Sequence, residues 1–383
     1  MKWFDYGKGI KSWCNLPEDG AIEQAINVSK LPFLFKYVAL MPDTHEGYGV
    51  PIGGVIALKN AVIPNAVGVD IGCGMLACQL DIEGITTENL KLIMSDIREG
   101  VPVGFDHQKT KIDISLLPSF SHELEIVCQQ FDSAIYQLGT LGGGNHFIEI
   151  QKGDDGHIWF MVHSGSRNVG LKVANHYNKL AQSLNAKWFS EVTKGVDLAF
   201  LPIGTPEFKN YIDEMNWCLQ FAQANRDLMA NVISHSFYSR IGAGVLQQIN
   251  IHHNYAVFEN HFGENVIVHR KGATSAKLGQ LGIIPGSQGT ASYITIGKGN
   301  PESFLSSSHG AGRKMGRNAA ISNLNLIDEQ ERLDSQGILH SIRGKKDLDE
   351  AAGAYKDIDI VMQEQSDLVD IKTKLLPLAV IKG

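Results

Sequence analysis

Short apolar runs separated by glycine-bearing loops constrain this chain more than any other feature of its sequence. Between residues 36 and 80 the runs YVALM, GGVIAL, NAVI and GMLACQL alternate with the turn-rich pieces PDTHEGYGVPIGG and PNAVGVDIGCG. Runs of that length, bounded by glycine, proline and asparagine, read as strands joined by loops. HIWFMV is a further buried strand, delivering His163 at its exit into SGSRNVG. Binding and catalytic side chains concentrate on loops held by a rigid scaffold, and here the loops carry the histidines, one cysteine and the acids.

Helical periodicity enters later. Between Glu207 and Ile241 the residues Cys218, Phe221, Ala222, Leu228, Met229, Val232 and Ile233 recur at steps of three and four, which predicts a long amphipathic helix serving as scaffold. A second helical pattern runs through Ile358, Val361, Met362, Leu368 and Val369 and is expected to stop before Pro377. No repeat, low-complexity tract or Pro/Ser-rich linker divides the chain, and candidate metal residues are spread from position 70 to 253. The expectation is a mixed α/β (α+β) fold in which residues 1–383 form a single large domain, central β-sheets flanked by helices.

Composition bounds what such a fold does. With 43% hydrophobic and 20% charged residues over 383 positions, the chain has the apolar content of a packed globular protein and no disorder signature. Its longest apolar stretches fall well short of the ~20 residues that span a bilayer, and MKWFDYGKGIKSW, with its early Asp5, lacks a secretory signal's apolar run. Cys14, Cys73, Cys78, Cys128 and Cys218 are odd in number and widely spread, the usage of reduced thiols in a cytosol. A cytoplasmic location is expected. The formal net charge of -7 argues against non-specific coating of nucleic acid, so an RNA substrate requires a local basic patch. His269 to Lys271, Arg313 with Lys314 and Arg317, and Arg343 with Lys345 and Lys346 are the candidates; each also reads as solvated surface, the third most readily.

Neither standard phosphate cradle is present: there is no GxxxxGK[ST], and no GxGxxG links a strand to a helix. In their place stand VDIGCG with Asp70 and Cys73, GGGNHFIE with Asn145, His146 and Glu149, VHSGSR with His163 and Arg167, IHHNY with His252 and His253, and SSSHGAGR with His309 and Arg313. Taken singly, Cys73 is as readily a buried small residue in a turn capped by Asp70, and a lone histidine after a strand is more often scaffold than ligand. Together they form a donor set for one or two divalent ions, with a thiolate able to bridge two. Thiolate and imidazole favour zinc, whereas carboxylate and phosphate oxygens favour magnesium or manganese, so donor chemistry leaves the metal open. At His309, the amides of Gly310 and Gly312, the preceding serines and Arg313 suit an anion; the imidazole reads as nucleophile or general acid, the plainer reading being a glycine-rich turn.

MPDTHEGYGVPIGG, GVDIGCGM, LGGGNHFIE, VHSGSR, HHNYA, PGSQGTASY, SSSHGAGR and the terminal LAVIKG, in that order, resemble the RtcB family of RNA-splicing and repair ligases over nearly the whole chain. The resemblance implies that Asp70, Cys73, His146, His163 and His253 bind two manganese ions, Cys73 bridging them. It implies that His309 is guanylylated by GTP. Around the guanine nucleotide it sets Asn145, His146, Phe147, Ile148 and Glu149; His253 and Asn254; Pro285, Gly286, Ser287 and Gln288; Ser292; His309, Gly310, Ala311 and Gly312; and Lys382, with Glu149 and Lys382 reading the base. The implied reaction joins an RNA 3'-phosphate or 2',3'-cyclic phosphate end to a 5'-hydroxyl, on cleaved tRNA or other RNA ends, in tRNA splicing or repair; an archease-like activator is a partner the family admits and the sequence does not reveal. Three positions depart from the family pattern: Gly316 where serine is usual, Gln288 where methionine is usual, and no proline before AYKD. A metal-dependent phosphodiesterase or phosphatase is the rival that uses the same Cys/His/Asp cluster without His309 as nucleophile. A non-catalytic relative would lack a ligand, and none is missing.

Overall fold

The computed structural model describes residues 4–7, 9–119, 121–190 and 195–383. The described strands gather into a six-stranded sheet, a seven-stranded sheet and two small ribbons. The six-stranded sheet runs Phe4–Asp5, Ile10–Ser12, Leu34–Tyr48, Val50–Leu58, Glu264–Lys271, Asn254–His261. The seven-stranded one runs Val245–His252, Gly74–Leu80, Ile158–Ser164, Phe147–Gly153, Val369–Lys382, Ser292–Gly297, Leu281–Ile284. With helices packed on these sheets, the chain has the mixed α/β architecture that its sequence predicts.

Two-residue alternation assigns the faces of the seven-stranded sheet. Leu76, Cys78, Ile148, Ile150, Phe160 and Val162 join Ile93, Ile97, Met229 and Phe237 of helices Thr87–Gly100 and Pro206–Ile241 in one apolar layer. Each fully buried side chain of this kind contributes about 1.5–3 kcal/mol. Met75, Ala77, Trp159 and Met161 pack on the opposite face. By the same alternation His163 and Glu149 belong to that second face, so the apolar layer beneath fixes the direction of the polar groups above.

The long helix begins and ends where local chemistry dictates. Thr205 accepts a hydrogen bond from the Phe208 amide, Pro206 fills the first turn, and Gly242, with φ 71°, closes the C-terminus. The second helical pattern is corrected: the helix spans only Ile358–Glu364, and Val369–Lys382 is a strand. Thr373, Leu375, Pro377 and Ala379 are buried in alternation, and the register shifts between Pro377 and Ala379. A bulge is where a proline without an amide donor is tolerated in a sheet.

A one-residue connection brings the two sheets together. Strand Val245–His252 edges the seven-stranded sheet, Asn254–His261 edges the six-stranded one, and His253 is the single residue between them. The piece PDTHEGY is a distorted part of strand Leu34–Tyr48 rather than a loop, with register shifts on both sides of His45. All five cysteines are free thiols. No helix among the described residues is long and apolar enough to cross a membrane.

Candidate active site

Five donor side chains meet at the seam between the sheets. The Cys73 carbonyl accepts from the His253 amide at 2.9 Å, and the Gly72 amide donates to the Asn254 carbonyl at 2.9 Å, fastening the cysteine loop to the seam. Cys73 Sγ lies 3.5 Å from His146 Nε2 and 3.2 Å from His163 Nε2. His146 Nε2 is 3.1 Å from Asp70 Oδ2, and the Nε2 atoms of His163 and His253 are 3.4 Å apart. The donor atoms form two triads that share the thiol, Asp70 with Cys73 and His146, and Cys73 with His163 and His253, each within 4.8 Å.

This arrangement fits a metal. His163 Nδ1 donates to the Asn145 carbonyl at 3.0 Å; a carbonyl only accepts, so the proton sits on Nδ1 and the Nε2 lone pair faces Cys73. Burial first, then the charge of neighbouring histidines, holds His163 and His253 well below the ordinary histidine value, hence neutral. Burial works to raise the Asp70 carboxyl, but the hydrogen bond and charge of His146, with Arg167, keep it below its ordinary value. Burial and the Asp70 charge push the Cys73 thiol well up, against Arg226. A divalent cation is the counter-charge that favours thiolate in such a setting.

The support beneath the cluster comes from the long helix. Arg226 is fully buried and donates to the carbonyls of Gly72 and Ser164 at 3.0 and 2.9 Å, the residues next to Cys73 and His163. Asn225 Nδ2 donates to Ser164 Oγ and the Gly165 carbonyl. Burial lowers the Arg226 guanidinium to about 10, against the acidic groups around it. From sequence this helix reads as scaffold alone; an adjacent Asn-Arg pair among apolar neighbours was the available signal.

His309 is held by a residue that sequence reasoning missed. Its Nδ1 lies 2.6 Å from Oδ2 of the fully buried Asp43, which also accepts from the amides of His309 and Gly310 at 3.0 and 3.3 Å. Burial would raise Asp43, but the charge and hydrogen bonds of His309 hold it below the usual carboxylate value. Lys356 Nζ donates to the carbonyls of Pro42 and Thr44, on either side of Asp43. Gly312, at φ +73°, packs so closely that a Cβ there would stand 2.3 Å from the Asp43 carbonyl oxygen. The D-x-H triplet at the end of an apolar run was the signal for Asp43.

These groups open into a cleft of about 680 Å³. It is lined by Asp70, Cys73, Asn145, Phe147, Glu149, His163, His253, Asn254, Pro285, Gly286, Ser287, Gln288, Ser292, His309, Gly310, Ala311, Gly312 and Lys382. Two residues expected near the nucleotide do not line it: His146 sits behind Asp70, and the Ile148 side chain lies in the apolar layer under the sheet. His45, Tyr355, Arg317 and Glu350 line it without having been singled out as nucleotide contacts.

The basic patches differ from expectation. His269, Arg270 and Lys271 are buried; Arg270 pairs with Glu259 at 2.9 Å, and Lys271 Nζ donates to the carbonyls of Tyr48 and Asn65. Arg313 is engaged by Glu350 at 2.7 Å and by the Asp349 carbonyl. Ser306 and Ser307 bond within the protein. Arg343, Lys345 and Lys346 are exposed, as the solvated-surface reading had them.

Fold and site together define a mixed α/β protein with a Cys/His/Asp cluster able to hold a metal beside an aspartate-held histidine, in a cleft of about 680 Å³. The sequence profile of the family described as tRNA-splicing ligase RtcB matches residues 24–130 and 120–383. The chain is 39% identical to the RNA-splicing ligase RtcB of Escherichia coli strain K12, covering 98% of this chain and 97% of that one. It is 32% identical to the tRNA-splicing ligase RtcB of Nanoarchaeum equitans and 31% identical to that of Thermococcus kodakarensis, each over 96% of this chain and 92% of the relative. The chain belongs to the RtcB family.

Proposed function

We propose that this protein is an RNA ligase that joins RNA 3'-phosphate or 2',3'-cyclic phosphate ends to 5'-hydroxyl ends through a histidine–GMP intermediate, in tRNA splicing or RNA repair. The observation that carries the reading is His309, whose Nδ1 is fixed on buried Asp43 at 2.6 Å, leaving Nε2 as the free ring nitrogen in the cleft. Nε2 attacks the α-phosphorus of GTP; the N–P bond forms, the bond to the β-phosphate oxygen breaks, and pyrophosphate leaves. The Asp43 carboxylate holds the Nδ1 proton and offsets the positive charge that the ring acquires. A cyclic phosphate end is opened by water to a 3'-phosphate, which takes GMP from His309, and the 5'-hydroxyl of the second RNA displaces GMP.

In this reading the two triads, Asp70 with Cys73 and His146 and Cys73 with His163 and His253, would hold the manganese ions. Bound there, manganese neutralises phosphate charge as a Lewis acid. Guanine is read by Glu149, which burial raises to about 8 against Gln151 and Lys382, and by Lys382, which burial lowers against Glu350 and Asp349. A carboxylate matches guanine's N–H donors and an ammonium its O6 and N7 acceptors. The proposal extends to one continuous domain over residues 1–383, to cleaved tRNA or other RNA ends and GTP as partners with an archease-like activator, and to a cytoplasmic location.

The test is incubation with α-labelled GTP and manganese, followed by denaturing electrophoresis of wild type, His309→Ala and Cys73→Ala. Acid-labile label on wild type and on neither variant is expected. No label on folded wild type with any divalent metal turns the assignment to the phosphodiesterase reading.

A further inference from the structure

We propose that His45 is the general base that removes the proton from the 5'-hydroxyl in the joining step, an inference that rests on the ligase reading above. Asp43 serves two imidazoles. Its carboxylate takes the Nδ1 proton of His309 at 2.6 Å, and its main-chain carbonyl lies 2.9 Å from Nδ1 of His45. A carbonyl only accepts, so His45 carries its proton on Nδ1 and a lone pair on Nε2. That nitrogen has no hydrogen-bond partner among the described residues, and His45 lines the same cleft as His309.

His163 and His253 turn Nε2 toward each other beside Cys73, and His309 Nε2 carries GMP until the RNA 3'-phosphate takes it. Of the two cleft imidazoles whose Nε2 is then uncommitted, His45 and His309, His45 is the one that no earlier step uses. Burial, with the charges of His309 and Lys356, holds it below the ordinary histidine value against the pull of Asp43, so it rests neutral and ready to accept a proton.

The rim beside His45 fits the end that bears no phosphate. Glu18 accepts from the Glu46 amide at 3.0 Å, and both acids line the cleft. Tyr48, on the same hairpin, is 75% exposed, and the Lys271 ammonium beneath it is taken by the carbonyls of Tyr48 and Asn65. Carboxylates repel a phosphate-terminated strand, whereas a terminal nucleoside with a free 5'-hydroxyl brings no charge to its tip and offers a base to stack on an exposed ring. In the joining step the 5'-oxygen bonds to the 3'-phosphate phosphorus as its proton passes to His45 Nε2. The bond between that phosphorus and the oxygen of GMP breaks, the leaving GMP takes the electron pair, and His45 returns the proton to solvent.

The test isolates that step. RNA already carrying the 3'-guanylate is mixed with 5'-hydroxyl RNA and manganese, using wild type, His45→Ala, His45→Gln and His45→Gly with and without imidazole; self-guanylylation from GTP is measured in parallel. Loss of a general base predicts that joining falls roughly 10²–10⁴-fold in His45→Ala and His45→Gln, that guanylylation falls by much less, and that imidazole restores joining in His45→Gly. Equal losses in the two steps, unaffected joining, or folded His45→Gly without rescue overturns the assignment. Wild type that fails to join either RNA pair sinks the ligase reading, and the base assignment with it.

Discussion

Replacing Asp43 measures how much the nucleophile depends on its buried carboxylate. Oδ2 accepts from His309 Nδ1 and from the amides of His309 and Gly310, while Oδ1 is buried without a partner. Asp43→Asn sets the amide oxygen where Oδ2 was and the amino group where Oδ1 was, so the three bonds persist and the charge is lost. A hydrogen bond to a charged group contributes about 1.5–3 kcal/mol against about 1 for a neutral one. The carboxylate also attracts the positive ring formed on guanylylation, by at most about 4 kcal/mol for charges ~4 Å apart at an effective dielectric near 20. A combined loss of about 2–4 kcal/mol is a rate lower by roughly 30- to 1,000-fold. Asp43→Ala leaves three donors without an acceptor, each costing about 1–3 kcal/mol, and guanylylation falls further with a drop in Tm. Rapid-quench measurement of label uptake from α-labelled GTP gives these rates. Asp43→Asn within threefold of wild type would refute the electrostatic role of the carboxylate.

Three further outcomes follow from other parts of the structure. Arg226→Leu strips the donors from the Gly72 and Ser164 carbonyls, each buried acceptor left unsatisfied costing about 1–3 kcal/mol; Tm and manganese affinity by calorimetry both fall, and unchanged affinity contradicts the support assigned to it. Glu149 sits at about 8, so at pH 7 it is protonated, and binding guanine through its carboxylate releases close to one proton per GTP. Calorimetry in buffers of different ionisation heat measures that proton, which Glu149→Gln abolishes. Glu259 would be raised by burial, but the His261 hydrogen bond and Arg270 hold it at about 2, against an ordinary value of 4.5. Its folded pKa lies below the unfolded one, so its stabilisation of about 3 kcal/mol is present above pH ~4.5 and is lost as pH falls toward 2; Glu259→Gln flattens that limb of the acid-unfolding curve.

Much of the scaffold was legible because its signals are local. Thr205, Pro206 and Gly242 mark the ends of the long helix within the sequence itself, and the strand ending at His163 is announced by its apolar run. Leu368 and Val369 misled because, as apolar residues following Ile358, Val361 and Met362, they read as a continuation of the helical pattern, whereas the helix ends at Glu364 and Val369 opens a strand paired with Ser292–Gly297. The donor residues were legible through their glycine-rich settings. Asp43 was not, because its partner His309 is 266 positions away. The buried state of His269, Arg270 and Lys271 was equally hidden: their charges are absorbed by Glu259 and by the carbonyls of Tyr48 and Asn65, which only the fold brings near. Arg313 looked like a free phosphate-binding cation for the same reason, its partner Glu350 lying 37 residues on.

The central claim is that RNA ends are joined, with the phosphate of the 3' end retained in the new linkage. The direct measurement is to label that 3'-phosphate, supply a 5'-hydroxyl RNA with GTP and manganese, and follow the label. The account predicts that it appears in the junction of a longer RNA, where phosphatase no longer removes it, only when both GTP and His309 are present. Label released as inorganic phosphate, with no longer product, would contradict it and mark the cleft as that of a phosphatase.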